Sequence, residues 1–298
     1  MAPRVEYCRL PTEQPLPQSR RLDALSSSAL LTLMSRGDAR VFRAVQRQHA
    51  PIARAIEIIA RAFGNQGRLF FVGAGTSGRL GVLEAAECPP TFSTPPSMVQ
   101  AVMAGGRGAV FRSREGAEDD ARAGGRAVRR RVRRTDVVVG IAASGVTPFV
   151  AGALRAAASR GADTVLITAH PKSPIAATVR IVLAVGPEVL AGSTRLKMGT
   201  ATKLVLNMLT LGAMVRLGKT YGHWMVDVRP SSRKLKARAQ RLVERLAPCS
   251  PASAKAALRR SGGNVKAAIL MERQHLTPAQ TRRRLQVAKG SLRRALHQ

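Results

Sequence analysis

The stretch from Leu69 to Glu87, LFFVGAGTSGRLGVLEAAE, decides the fold. Four apolar residues, Leu69 to Val72, predict a buried strand; the turn Gly73-Ala74-Gly75-Thr76-Ser77-Gly78 ends it, and an apolar helical stretch follows from Leu80. Glycines let the backbone approach a ligand closely, and the unpaired N–H groups at a helix start favour an anion. Thr76 and Ser77 add hydroxyl donors without charge, which suits a phosphate monoester that must be bound and then released. The spacing is not the GxGxxG of a dinucleotide fold, and no acidic residue stands where a ribose would be held. The Gly-Lys-Ser/Thr ending of a nucleotide P-loop is missing too. Taken alone, the segment also reads as a plain glycine turn joining strand to helix.

Outward from this stretch, strand signals alternate with helical ones. The pattern is helical from Leu22 to Ala62, with Pro51 as a break or a helix start, and strands are expected at Leu69–Val72, Met98–Met103, Val137–Ile141, Thr164–Thr168 and Ile181–Val185. Such alternation predicts an α/β fold with a doubly wound, largely parallel sheet and a ligand beyond the carboxyl ends of its strands. A second turn repeats the logic of the first: the strand up to Ile141 leads to Ser144-Gly145 and Thr147, and Pro148 opens a helix. A third, Gly192-Ser193-Thr194-Arg195-Leu196-Lys197, precedes a helix expected over Thr200 to Leu217. Three hydroxyl-rich turns are hard to explain as packing alone. After Val228 the chain becomes basic and helical, and Ser261-Gly262-Gly263-Asn264 reads as a loop inside a small bundle whose role is packing or dimerisation.

Composition bounds the remainder. With 298 residues and 45% hydrophobic content the chain can bury a sizeable core, and with only 3% aromatics that core rests on Ala, Val, Leu and Ile. Cys8, Cys88 and Cys249 form neither a metal spacing nor an even disulfide set, which points to a reducing cytoplasm. The five histidines, His49, His170, His223, His275 and His297, show no ligand spacing, so no metal or other cofactor is expected. No apolar leader region precedes Pro15, and no run of about 18 apolar residues is evident, so neither secretion nor a membrane is expected. A formal charge of +32, from 49 basic and 17 acidic residues, attracts any polyanion at low salt. Lysine supplies only nine of the 49, a bias that an Arg- and Ala-rich coding preference also produces. The basic runs carry no interleaved aromatics, so nucleic acid is expected as a partner only through non-specific charge. The densest run, Arg126 to Arg134, reads as the solvated face of a helix.

Scarce acids make their placement informative. Six of the 17 (Glu84, Glu87, Glu115, Glu118, Asp119 and Asp120) fall within 37 residues. Asp119 and Asp120 also serve to counter nearby arginines. Glu84 and Glu87, three apart, share nearly the same helix face, so spacing alone lets either act as an acid.

Taken together, Gly73 to Gly81, Glu87-Cys-Pro-Pro-Thr-Phe92, Glu115-Gly-Ala-Glu-Asp119, Val137 to Gly145, Gly186-Pro-Glu188, Gly192 to Lys197, Lys203 to Met208 and Met225-Val-Asp-Val228 closely resemble the N-acetylmuramic acid 6-phosphate etherases. These blocks fall in order and cover about Thr12 to Leu296. The resemblance implies a sugar isomerase (SIS) type of doubly wound sheet, with N-terminal helices and a small C-terminal helical bundle. It divides the chain into an N-terminal helical arm over residues 1–50, a phosphosugar-binding SIS domain over 51–232 and a C-terminal helical, UBA-like segment over 233–298. It further implies a homodimer in the cytoplasm that recycles cell-wall muramic acid.

The implied reaction is a lyase step. Removal of the C2 proton, acidified by an open-chain C1 aldehyde, lets the 3-O-lactyl group leave by elimination, and water then adds to the double bond. By motif position Glu87 is the expected proton donor to the lactyl oxygen, and Glu118 the partner that handles the C2 proton or the water. Gly75, Thr76, Ser77, Ser144, Thr147, Ser193 and Thr194 are the expected phosphosugar ligands. Glu188 is expected either to orient substrate or to cap a helix or loop. Departures from the family pattern occur at Val146, where Arg is common, at Met198, where a small residue is, and at His223-Trp224, where Asn-Leu is. A non-catalytic phosphosugar sensor resembling glucokinase regulatory protein is the alternative; it would keep the hydroxyl turns and need no pair of acids.

Overall fold

The computed structural model describes residues 6–228 and 230–297. The chain divides into two compact units, Met1–Ala85 with Ser97–Thr210, and Ala86–Pro96 with Leu211–Gln298. The first holds five parallel strands, β1 (Leu69–Gly73), β2 (Val99–Met103), β3 (Val137–Ile141), β4 (Asp163–Thr168) and β5 (Val179–Val182), in the order β2-β1-β3-β4-β5. The expected α/β, doubly wound parallel sheet is therefore present, and its fifth strand begins and ends earlier than the apolar pattern suggested.

Every residue of β1 and β3 is buried, as strands covered on both faces must be. Phe70, Val72, Val138 and Leu166 share a core with α4 (Ala121–Arg129) and α5 (Pro148–Ser159). Those two helices nearly touch backbone to backbone: a Cβ on Gly152 would stand 1.9 Å from the Ala121 carbonyl oxygen. Phe71 and Ile141 face the other way, toward Gly81 of α3 (Gly75–Phe92). The helices α1 (Ser27–Gln46) and α2 (His49–Gly64) precede the sheet, and Pro51 falls inside the first turn of α2, where its missing N–H has no intrahelical partner to lose. The basic run is helical only to Arg129, and Val128 and Val132 within it are buried.

The helix α6 (Lys197–Arg216) starts three residues before its expected position. Among the described residues it is the one helix long and apolar enough to cross a membrane. In this fold Ala201, Val205, Leu206 and Leu209 are buried as core.

In the second unit, α7 (Arg233–Leu246), α8 (Pro251–Arg260), α9 (Val265–Gln274), α10 (Pro278–Val287) and α11 (Leu292–Leu296) enclose a core of Leu242, Val243, Ile269, Leu270 and Leu292. Ser232, Ser250, Asn264, Thr277 and Ser291 each accept a backbone N–H at the start of one of these helices. Each cap satisfies a donor that the helix itself cannot. Asp227 joins the bundle by ion pairs to Lys219 at 2.7 Å and Lys266 at 3.0 Å. Burial lowers the Lys266 pKa from its ordinary value against the pull of Asp227.

Candidate active site

The order β2-β1-β3-β4-β5 reverses direction between β1 and β3, and a crevice opens outside the carboxyl ends of strands at such a point. The first two hydroxyl turns leave from there, since Gly73 and Ile141 are register partners. After β1 the chain enters α3 at Gly75, five residues earlier than the apolar pattern indicated, so Thr76 and Ser77 lie in the first helical turn. Gly75 has φ +53°, and a Cβ there would meet nothing within 4 Å; its glycine serves the backbone conformation on an open face. The N–H groups of this first turn and the two hydroxyls thus stand together at the positive end of a long helix.

The second turn is braced from below. Ser144 Oγ lies 3.4 Å from Thr147 Oγ1 and accepts the Val146 N–H at 3.4 Å. Gly145 has φ +74°, and a Cβ on it would stand 2.7 Å from the His170 Cβ and 2.8 Å from Thr168 Oγ1. Ser173 Oγ donates to the Gly145 carbonyl, and Thr168 Oγ1 donates to that of Ala143. No side chain larger than hydrogen fits between the turn and this brace.

Together the two turns line a cleft of about 270 Å³. Gly75, Thr76, Ser77, Ser144 and Thr147 reach it from the sheet, and Gly192 and Thr194 from the third turn. Ser193 is not among its lining residues. Its N–H donates to the Leu190 carbonyl and its own carbonyl accepts the Leu196 N–H, so its backbone maintains the turn. Val146 also faces the cleft, so the place where Arg is common in the family pattern adds apolar surface here.

Glu118 lies at the junction of this cleft and an adjoining one of about 210 Å³. Its carbonyl accepts the Phe149 N–H at 2.9 Å, which ties it to the start of α5. Although exposed, its carboxyl has a pKa raised from the ordinary glutamate value, chiefly by the desolvation it does suffer and then by Asp119 and Glu115. The loop before it is clamped by Arg79, whose guanidinium donates to the Ala109 and Val110 carbonyls at 2.9 and 2.8 Å. Arg79 was not singled out in the sequence. The available signal was a cation in the second turn of α3, near a helix N-terminus where the dipole does not favour it.

The two glutamates of α3 separate clearly. Glu84 is 5% exposed, and its carboxylate receives Lys203 Nζ at 2.8 Å and the Thr210 hydroxyl at 2.5 Å. Both oxygens are occupied by partners on α6. Glu87, three residues on, is exposed and belongs to the segment Ala86–Pro96 of the second unit. Glu188 is buried and accepts the N–H groups of Lys197 at 3.1 Å and Met198 at 2.9 Å, capping α6. Burial raises its pKa against the lowering effect of those bonds. Met198 is itself 2% exposed, and the His223 and Trp224 rings meet at a tilt of 40°, centroids 4.4 Å apart, in the second unit. Among the described residues no group of three His, Cys, Asp or Glu side chains could hold a metal ion.

The N-terminal arm also reaches the cleft. Leu10 and Leu16 are buried, the Thr12 carbonyl accepts the Gly192 N–H at 3.2 Å, and Tyr7 and Glu13 are lining residues. No pattern in the sequence placed these residues at the site, because the contact joins segments 180 residues apart.

The chain is similar to known proteins along nearly its whole length. A family model for the glucokinase regulatory protein N-terminal SIS domain matches residues 51–158, and one for the SIS domain matches residues 123–212. The N-acetylmuramic acid 6-phosphate etherase of Gloeobacter violaceus is 52% identical over 98% of this chain and 96% of its own length. That of a Picosynechococcus species is 49% identical over 96% of each. Among solved structures, phosphoheptose isomerase from Neisseria gonorrhoeae superposes with a TM-score of 0.50 at 18% identity, covering 64% of this chain and all of that one. The Francisella tularensis phosphoheptose isomerase gives 0.51 at 14%, covering 63% and 98%. These structures share the fold, and the full-length identities decide the family: the chain belongs to the N-acetylmuramic acid 6-phosphate etherases.

Proposed function

We propose that this protein is a carbon–oxygen lyase that converts N-acetylmuramic acid 6-phosphate to N-acetylglucosamine 6-phosphate and D-lactate, in the recycling of cell-wall muramic acid. The observation that carries the reading is the near-complete match to etherases, on a chain whose hydroxyl turns meet at the switch point of the sheet. Thr76, Ser77, Ser144 and Thr147 hold the 6-phosphate through neutral donors, with Gly75 giving the backbone access and Thr194 closing the far side; Ser193 keeps the third turn in shape.

In the reaction, a base removes the C2 proton of the open-chain sugar, the electron pair forms the C2–C3 double bond, and the C3–O bond to lactate breaks. The departing oxygen takes a proton from a carboxylic acid. Water then adds its hydroxyl to C3 and a proton to C2. Glu118 is assigned to the C2 proton or the water: it is tethered at the cleft, has no cation paired with its carboxylate among the described residues, and has a pKa raised toward the neutral range where a general base works best. Glu87 is assigned as the acid. Support comes from its motif position and from Glu84, the other acid on that helix face, having both oxygens occupied.

The protein acts as a homodimer in the cytoplasm. Leu211 and Val215, one turn apart on α6, are about half exposed and form an apolar strip that a second copy would cover, and none of the three cysteines is joined in a disulfide among the described residues.

A lactate-release assay on the wild type, Glu87→Gln and Glu118→Gln tests the reading. Each variant is expected to lose about 10²-fold or more. A wild type that binds the substrate but frees no D-lactate is a sensor like the glucokinase regulatory protein, and the lyase assignment fails. Two variants at full rate leave the family intact and overturn the mechanism.

A further inference from the structure

The cleft contains a carboxylate that the reaction above does not use. Glu13 is held there by an anchored arm: Leu10 and Thr12 on one side of it are buried, Leu16 on the other is buried, and the Thr12 carbonyl receives the Gly192 N–H. Its backbone is fixed as well, the Glu13 N–H donating to the Leu10 carbonyl at 3.0 Å and the Gln14 side chain to the Cys8 carbonyl at 2.7 Å. The Glu13 side chain is exposed at the cleft wall. Its Oε2 lies 3.0 Å from where a Cβ on Gly192 would be, so the glycine leaves the room that the carboxylate occupies.

This carboxylate has little to do within the fold. Among the described residues, the adjacent Thr12 hydroxyl, 3.0 Å from Oε1, is its one side-chain donor, and no cation pairs with it. In a chain with 49 basic residues and 17 acids, an exposed carboxylate beside a ligand cleft and without a cation is a poor structural element. It is a good acceptor.

We infer that Glu13 is a substrate-binding residue that accepts a hydrogen bond from a neutral O–H or N–H of the sugar, and so lets the cleft distinguish a phosphosugar from phosphate alone. The inference rests on the phosphosugar reading of the cleft. The substrate's phosphate and lactyl carboxylate are anions that Glu13 repels, which leaves the hydroxyl and acetamido groups of the ring as its partners. A hydrogen bond to a charged acceptor is stronger than one between neutral groups, and leaving it unmade weakens binding of the ligand that carries the donor.

The test is calorimetric titration of the wild type, Glu13→Ala and Glu13→Gln with N-acetylglucosamine 6-phosphate and, separately, with inorganic phosphate. Glu13→Ala is expected to bind the sugar phosphate about tenfold or more weakly and inorganic phosphate within about twofold of wild type. Glu13→Gln, which keeps a carbonyl acceptor, is expected to fall between. Melting curves of all three establish that the variants are folded. If Glu13→Ala binds the sugar phosphate as well as wild type does, or loses both ligands in parallel, the inference is wrong; parallel loss means the arm only shapes the phosphate cradle. If the wild type shows no preference for the sugar phosphate over inorganic phosphate, the phosphosugar reading itself fails first.

Discussion

Glu84 and Glu118 come from the same acid-rich stretch and meet opposite surroundings. Glu84 is buried with both oxygens bonded, to Lys203 and to Thr210, and it joins α3 to α6. Glu118 is exposed at the junction of two clefts, tied through its backbone carbonyl to Phe149 and with no cation on its carboxylate among the described residues, and its carboxyl proton is retained to higher pH than usual by desolvation and by like charges. A carboxylate supplied with donors is committed to the scaffold, whereas one deprived of them keeps its proton exchange available for chemistry.

Replacing each of the two glutamates in turn gives the largest effects and the sharpest contrast. Glu118→Gln is expected to lower lactate release by about 10²-fold or more without loss of stability. The sign follows from linkage: the folded state binds the Glu118 proton more tightly than the unfolded chain, so its ionisation removes stability as pH rises from the ordinary carboxylate range through the raised folded pKa. The amide removes that loss, so melting temperature at neutral pH should equal or exceed that of wild type, and the difference should close in acid. Glu84→Ala should do the reverse. Removing the buried partner of Lys203 costs about 2 kcal/mol in urea unfolding, below the full cost of stranding a charge because the Lys203 side chain is 33% exposed and also donates to Asn207. A Glu84→Ala protein as stable as wild type would dissolve the distinction between the two sites.

The sequence made part of this legible. Hydroxyls beside glycines at the ends of apolar runs located two of the turns that line the cleft, because each is a strand, a turn and a helix start contiguous in the chain. Spacing alone could not separate Glu84 from Glu87, and only motif position favoured Glu87. At i and i+3 they look alike, and what distinguishes them is Lys203, 119 residues further on. The entry of α3 at Gly75 was also hidden, since glycine, threonine and serine carry weak helix propensity and the position is set by the turn itself. Glu13 and Arg79 escaped for the same reason as Lys203: each acts on a distant segment, and neither stands in a local pattern.

Arg79 offers a smaller perturbation on the Glu118 side of the comparison. Arg79→Met removes both guanidinium donors to the 109–110 carbonyls while keeping a flexible apolar stem. With the loop less firmly placed, kcat is expected to fall about tenfold with KM little changed, since misplacement of a reacting group acts mainly on the chemical step. Stability should move less than in Glu84→Ala. An equal rise in KM with an unchanged kcat would assign Arg79 to substrate binding and separate it from the placement of Glu118.

The finest test uses charge alone. If Glu118 must be ionised to take the C2 proton, the acidic limb of the pH profile of kcat/KM reports its pKa and lies above the ordinary glutamate range. Asp119 contributes to that elevation as a neighbouring negative charge, second to desolvation. Asp119→Asn therefore moves the limb to lower pH, yet does not return it to the ordinary range, because the partial desolvation of the Glu118 carboxyl is untouched. Glu84→Gln, altering a carboxylate engaged with α6, leaves the limb where it is. A limb that follows Glu84 and ignores Asp119 would mean that the titrating group is not Glu118, and that the carboxylate tied into the scaffold, not the one at the cleft, governs the proton transfer.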